Sequence, residues 1–148
     1  MTAQQPFQFP VRVYWEDTDA GGIVFYANYL KFFERARTEW LRGLGIGQQQ
    51  LREAEGGMFV VTDTQLRYLR PARLDDLLSV TAHVQDVGRA SLTIAQSAWL
   101  PPETGNAEKP QLLCEGTVRI GWVDHQAMRP MRIPPHVLAL LKPQPVSS

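Results

Sequence analysis

The chain has 148 residues, 44% of them apolar, which is enough for one domain with a real core and too little for two of ordinary size. Its 15 basic and 15 acidic side chains cancel, which argues against nucleic acid as the main partner, because phosphate binding leaves a strongly basic imprint. The single cysteine, Cys114, excludes an intrachain disulfide and fits a reducing compartment, and no apolar run approaches the ~18 residues of a membrane span. Met1 to Pro6 lacks the charged and then apolar pattern of a secretory signal. These features predict a cytoplasmic, single-domain protein over residues 1–148 with no membrane insertion, flexible at 1–7 and 143–148.

Phe9 to Glu16 alternates as a half-buried strand, with Phe9, Val11, Val13 and Trp15 on one face. Asp17 to Gly22 breaks it with turn residues. From Asn28 to Leu44 the period becomes helical: Leu30, Phe33, Ala36, Arg37, Trp40, Leu41 and Leu44 form one stripe, with the stem of Arg37 along the core edge. Asn28 reads as the N-cap and Gly43 or Gly45 as the stop. A shorter helix follows over Gln48 to Glu55, ended by Gly56-Gly57. Strands are then expected over Met58 to Tyr68, Asp76 to Asp86, Ser91 to Leu100 and Gln111 to Asp124. In the last of these Leu112, Cys114, Val118, Ile120 and Trp122 point inward. Val87 to Ala90 is a turn, Pro101 to Asn106 a long hairpin loop, and Pro134-Pro135 opens a terminal helix. One apolar helix in front of an antiparallel sheet is an α+β layout, with a long central helix wrapped by a five-stranded antiparallel sheet. The free sheet edge also allows two chains to pair edge to edge.

The chemistry is expected between the first strand and the long helix. Glu16, Asp17 and Asp19 crowd together, followed by Gly21-Gly22 and by a helix start whose N–H groups lack intrahelical partners. Such a terminus polarises a carbonyl oxygen, Gly22 allows close approach, and a carboxylate supplies the base or nucleophile. The plainer reading is that Asp17 and Asp19 only shape a turn or cap a helix. Calcium does not fit, because the alternating oxygen ligands and terminal Glu of an EF-hand loop are missing.

The run Tyr14-Trp15-Glu16-Asp17-Thr18-Asp19-Ala20-Gly21-Gly22-Ile23-Val24 resembles the signature of the 4-hydroxybenzoyl-CoA thioesterase family of hotdog proteins, and within it the bacterial Tol–Pal-associated acyl-CoA thioesterases. The likeness continues through Tyr29, Phe33 to Glu39, Tyr68 and Pro71 to Asp76. The resemblance implies a hotdog fold and hydrolysis of a short-chain or aromatic acyl-CoA, with acyl-carrier protein as the other possible carrier. No cofactor or metal is implied, since coenzyme A is part of the substrate. Asp19 matches the family's catalytic carboxylate, as nucleophile or as general base on water. Tyr26 matches the residue whose amide N–H bonds the thioester carbonyl; many relatives have histidine there, whereas the hydroxybenzoyl-specific branch has tyrosine.

The resemblance also places CoA contacts near the Val87 to Ser91 hairpin, which makes Arg89 and Ser91 binding candidates; Arg suits phosphate because its planar fork presents parallel donors. Phe25, Met58 and Phe59 are candidate pocket walls. Arg70 and Arg73 are read as partners of Asp75 or Asp76, and Glu34 and Glu39 as helix-surface partners of nearby arginines. His83, His125 and His136 are too scattered for a metal site, and Cys114 reads as an inert core residue. A homo-oligomer is implied, at least a dimer and commonly a tetramer, with sites built between chains. The competing function is a non-catalytic acyl-thioester binder or scaffold linked to the cell envelope or phospholipid synthesis. A dehydratase is set aside because no histidine lies near Asp19.

Overall fold

A computed structural model describes residues 6–105 and 107–141. The elements are β1 (Phe7–Arg12), α1 (Tyr29–Gly43), α2 (Gln48–Glu55), β2 (Gly57–Tyr68), β3 (Leu77–Val87), β4 (Ser91–Leu100), α3 (Pro102–Gly105), β5 (Gln111–Asp124) and α4 (Pro135–Leu141). The strands form one antiparallel sheet in the order β1-β3-β4-β5-β2, so β1 and β2 are its edges. This is the expected sheet wrapped on one long helix.

Several boundaries differ from the sequence reading, those of β1 and of the Pro101 to Asn106 segment for local reasons. β1 begins at Phe7, which pairs with Ala82, two residues before the alternation is visible, so Phe7 belongs to the sheet rather than to a free terminus. It ends at Arg12, and residues Trp15–Asp17 form a 3₁₀ turn. That turn breaks the two-residue period, so Val13 is buried while Trp15, expected on the same face, is 79% exposed. Pro101 to Asn106 was expected as a loop; Pro102–Gly105 closes instead into the short helix α3, since proline suits a first helical turn, and Asn106 lies outside the described residues.

α1 buries Tyr29, Phe32, Phe33, Ala36, Arg37 and Leu41. Leu30, assigned to this stripe from the sequence, is 43% exposed; it shares the side of Arg37 and Leu41 but lies in the first turn of α1, before that side is covered. Burying each of the two phenylalanines contributes roughly 1.5–3 kcal/mol. They pack with Val11, Val13, Val24, Leu78 and Leu113 in one core cluster. A second cluster gathers Leu41, Leu92, Ile94, Trp122, Ile133 and Val137, closing the far end of the sheet with α4. Leu112, expected inward, is only half-buried and Leu113 is buried, because the β4–β5 register shifts between Ala98 and Trp99. Gly56 ends α2 at φ 71, a conformation that glycine reaches without strain.

Arg37 does more than line the core edge. Its guanidinium is buried and Nη1 donates to Gln96 Oε1 at 2.9 Å. Gln96 Nε2 donates in turn to the carbonyls of Phe33 (3.0 Å) and Thr81 (3.2 Å), so one polar network ties α1 to β4 and β3. Desolvation pushes the Arg37 pKa down from its ordinary value, which the nearby Glu34 partly opposes.

Candidate active site

The loop between β1 and α1 is stapled at its base by Asp17. Asp17 is buried; its Oδ2 accepts the Tyr14 N–H at 2.8 Å, and its Oδ1 accepts Asn28 Nδ2 at 2.8 Å. Its backbone carbonyl accepts the Phe25 N–H at 3.0 Å. Asn28 is therefore not the side-chain cap that the sequence implied: it makes no cap bond, and helical backbone already begins with a 3₁₀ turn over Tyr26–Asn28. Its amide points back into the loop, where its Nδ2 donates to the buried carboxylate in a charge-assisted hydrogen bond.

Asp19 lies at the loop tip and is exposed. The tip is a closed turn: the Asp19 N–H donates to the Ile23 carbonyl (2.9 Å), and the Gly22 N–H to the Asp19 carbonyl (3.0 Å). Oδ1 of Asp19 accepts the Gly21 N–H at 2.8 Å, leaving Oδ2 without a hydrogen-bond partner among the described residues. Gly22 has φ 80, so a side chain at this bend would strain the backbone that aims the carboxylate. The returning leg bridges to the segment before β3 through Ile23 with Arg73, and through the Val24 N–H to the Ala72 carbonyl.

Tyr26 heads the 3₁₀ turn that runs into α1, so its N–H has no partner within the turn. Its ring sits 4.8 Å from Phe25 and edge-on to Tyr68 at 6.1 Å between centroids. Tyr68, the last residue of β2, also lies 5.7 Å from Tyr29. Phe25, Tyr26 and Tyr68 are 46%, 63% and 46% exposed, a half-open aromatic wall beside the loop. Tyr29 is different: its hydroxyl accepts the Ala72 N–H at 3.3 Å, and burial pushes its pKa up to about 12. Tyr68 is part of the family likeness read from the sequence, but no site role attaches to it there; the structure adds it to the aromatic wall.

The remaining candidates lie elsewhere in the chain. Met58 and Phe59 pair with Val123 and Trp122 at the start of β2, with the Phe59 ring 4.9 Å from that of Trp122. The rest of β2 separates Phe59 from Tyr68, a span of about 30 Å at ~3.3 Å per residue. Arg89 is exposed on the β3–β4 turn at this same far end, where Ser91 pairs with Gly121. Ser91 Oγ accepts Arg119 Nη2 at 3.2 Å, and the Arg89 carbonyl accepts the Ile133 N–H at 2.8 Å. That second bond brings Arg132 beside the turn, a basic neighbour the sequence reading missed because Arg132 lies far away in the chain. Among the described residues none of Arg89, Arg119 and Arg132 forms an ion pair. One chain therefore brings Asp19, Gly22, Phe25 and Tyr26 together and leaves Met58, Phe59, Arg89 and Ser91 at the opposite end of the sheet.

Asp76 takes the backbone N–H of Arg73 at 2.9 Å, and Arg12 donates to the Asp75 carbonyl at 2.7 Å, so the expected Arg70 and Arg73 side-chain pairs are not formed. Glu39 pairs with Arg42, whereas Glu34 accepts Thr38 at 3.5 Å. His83 is exposed, His125 Nδ1 meets the Gly56 carbonyl at 2.9 Å, and His136 lies 3.3 Å from Glu55. Cys114 is buried, and burial pushes its thiol up to about 12. Among the described residues no three of His, Cys, Asp and Glu group closely enough to hold a metal ion. No helix among them is long and apolar enough to cross a membrane.

A single long helix wrapped by a sheet of this strand order, with an acidic glycine loop leading into it, defines the hotdog class of proteins. Comparison with known proteins narrows the class. Residues 13–141 match the model of the thioesterase-like superfamily. The acyl-CoA thioesterase YbgC of Haemophilus influenzae is 44% identical over 133 residues, covering 90% of this chain and 92% of that protein. The acyl-CoA thioester hydrolase YbgC of Escherichia coli O157:H7 is 43% identical over 136 residues, 92% of this chain and 96% of that protein. The crystal structure of a probable thioesterase from Bartonella henselae superposes with a TM-score of 0.78 at 32% identity, covering 88% of this chain and all of that one. The chain belongs to the thioesterase-like superfamily and is a thioester hydrolase.

Proposed function

We propose that the chain hydrolyses acyl-CoA thioesters to the free acid and coenzyme A, with Asp19 as the catalytic carboxylate. The observation that carries this reading is the division of labour in the loop. Asp17 has both carboxylate oxygens engaged, while Asp19 is held by Gly21 and keeps an oxygen available at an exposed tip. The names of the YbgC relatives support acyl-CoA as the substrate. The Tyr26 N–H polarises the carbonyl; one such donor is worth ~3 kcal/mol of barrier. Asp19 then either removes a proton from attacking water or attacks the carbonyl carbon itself. In both routes the tetrahedral oxyanion collapses with departure of the thiolate, a good leaving group that needs no strong general acid. In the nucleophile route thiolate departure leaves an anhydride between the acyl group and Asp19, which water then hydrolyses to the free acid and the regenerated carboxylate. In a single turnover in heavy-oxygen water, attack at the aspartyl carbonyl of that anhydride leaves solvent oxygen in Asp19, whereas the base route puts it only in the product acid.

The site is completed by a second copy. β1 carries Pro10, which has no N–H to offer a new strand, whereas β2 is a proline-free edge with Val61 52% exposed. Antiparallel pairing of two β2 strands about a two-fold axis sets the Met58 end of each beside the Tyr68 end of the other. Met58, Phe59, Arg89 and Ser91 of the partner subunit then join Asp19 and Tyr26, the first pair as acyl walls and the second toward the CoA phosphates. A tetramer is a pair of such dimers. A non-catalytic binder has no use for the free carboxylate of Asp19, which places that reading second.

The test is thiol release by the purified protein from a panel of short-chain, long-chain and aromatic acyl-CoAs, with acyl-carrier-protein thioesters alongside. Turnover of at least one acyl-CoA class is expected. Tight binding of every substrate without thiol release would give the site to the scaffold reading.

A further inference from the structure

Asp17 is the one residue bonded to both halves of the site. Two residues after it in the chain stands Asp19. Across the loop, its carbonyl holds the Phe25 N–H at 3.0 Å and its Oδ1 holds Asn28 Nδ2 at 2.8 Å. Those two contacts bracket Tyr26, the residue whose amide faces the substrate carbonyl in the proposed mechanism. Oδ2 holds the Tyr14 N–H at 2.8 Å and so fixes the turn from which the loop departs. Asp17 is 3% exposed and Asn28 6%, so neither side chain touches a bound acyl group, and water does not compete for their hydrogen bond.

We propose that Asp17 is a positioning residue: its carboxylate, through Asn28, sets the separation and angle between the Asp19 carboxylate and the Tyr26 amide. This rests on the catalytic reading of Asp19 and deepens it. The physical argument is geometric. The loop has glycine at two positions and an exposed tip, so Asp19 itself is held only by the hydrogen bonds of its turn, while the returning leg is anchored through buried Val24. The rigid partner is α1, and among the described residues the only buried side-chain hydrogen bond from the loop to the start of that helix is Asp17 to Asn28. A charge-assisted bond of this length is shorter and stronger than a neutral one, and it is directional. Releasing it lets the carboxylate drift relative to the amide, and a drift of ~1 Å in a reacting group costs ~10²-fold in rate.

The test compares Asp17→Asn, Asn28→Ala and the exchanged pair Asp17→Asn with Asn28→Asp, each in the full-length protein, with acyl-CoA as substrate. In Asp17→Asn the charged acceptor is lost and only a neutral, weaker amide–amide bond is left; in the exchanged pair the amide and carboxylate trade places and the charge-assisted bond can re-form. The expected result is a kcat loss of ~10²-fold in both single variants with KM changed less than ~3-fold, and recovery of kcat to within ~10-fold of the parent in the exchanged pair. Should Asp17→Asn be too unstable to assay, Asn28→Ala reads the same bond from the helix side. Single variants that keep kcat within ~3-fold of the parent would overturn the proposal, as would a kcat loss that vanishes once rates are normalised to the folded, active fraction. An Asp19→Asn control separates the two claims. If that control is inactive while Asp17→Asn is active, only the positioning role falls; if it is active, the catalytic reading itself falls.

Discussion

Asp17 and Asp19 are two residues apart and have opposite surroundings. Asp17 is 3% exposed with three backbone or side-chain donors around it, whereas Asp19 is exposed and holds only the Gly21 N–H through its side chain. The 3₁₀ turn at Trp15–Asp17 produces the difference, because it rotates the first carboxylate inward against α1 and leaves the second to follow the glycine bend outward. The same acidic motif thus contains a structural group and a chemical one.

Gln96 sets the stability of the helix–sheet contact. Gln96→Leu would strip the buried Arg37 guanidinium of its acceptor and leave the Phe33 and Thr81 carbonyls without their side-chain donor. The expected loss is about 3 kcal/mol, since an unpaired buried charge keeps its full desolvation cost. Urea unfolding followed by circular dichroism measures it; a change below ~1 kcal/mol would mean that the network contributes little.

Alkaline pH is expected to destabilise the fold. In the unfolded chain the Cys114 thiol and the Tyr29 phenol ionise near their ordinary 9.0 and 10.0, while burial holds both protonated to about 12 in the native state. Across that window the native protein binds more protons than the unfolded chain, so stability falls as pH rises and the loss is complete once both native groups titrate. Urea midpoints taken from pH 9 towards 12 should decline, and Cys114→Ala should flatten the first part of the decline. A curve unchanged over this range would contradict the burial of these groups.

Most of the architecture was legible in the sequence because each signal was local. The strands expected over Ser91 to Leu100 and Gln111 to Asp124, the second from its alternation, are β4 and β5 at their observed bounds, and Gly56 marked the end of α2. What was not legible depended on contacts between distant segments. The inward turn of Asp17 needs Asn28, the burial of Arg37 needs Gln96, and the β5 phase at Leu112 and Leu113 depends on a register shift against β4. Phe59 carried a pocket-like residue type, but its place at the far end of β2 follows from the sheet order, which no local pattern encodes.

Assembly and activity are expected to fail together at the β2 edge. Val61→Lys puts a charge at a half-exposed position of the edge strand, outside both core clusters, so the monomer should stay folded. Light scattering should show a shift toward monomer, with thiol release falling in parallel because the acyl walls and phosphate contacts come from the other copy. A monomeric variant with parental kcat/KM would show that one chain carries the whole site.

The most direct measurement is the kcat of Asp19→Asn on the best acyl-CoA substrate. Asparagine keeps the shape and the acceptor for the Gly21 N–H, but it can neither take a proton from water nor attack as a carboxylate. The expected loss is ~10²–10⁴-fold in kcat, with folding stability changed by less than about 0.5 kcal/mol because the side chain is exposed. A variant that folds as the parent does and turns over at the parental rate would show that the exposed carboxylate takes no part in the chemistry.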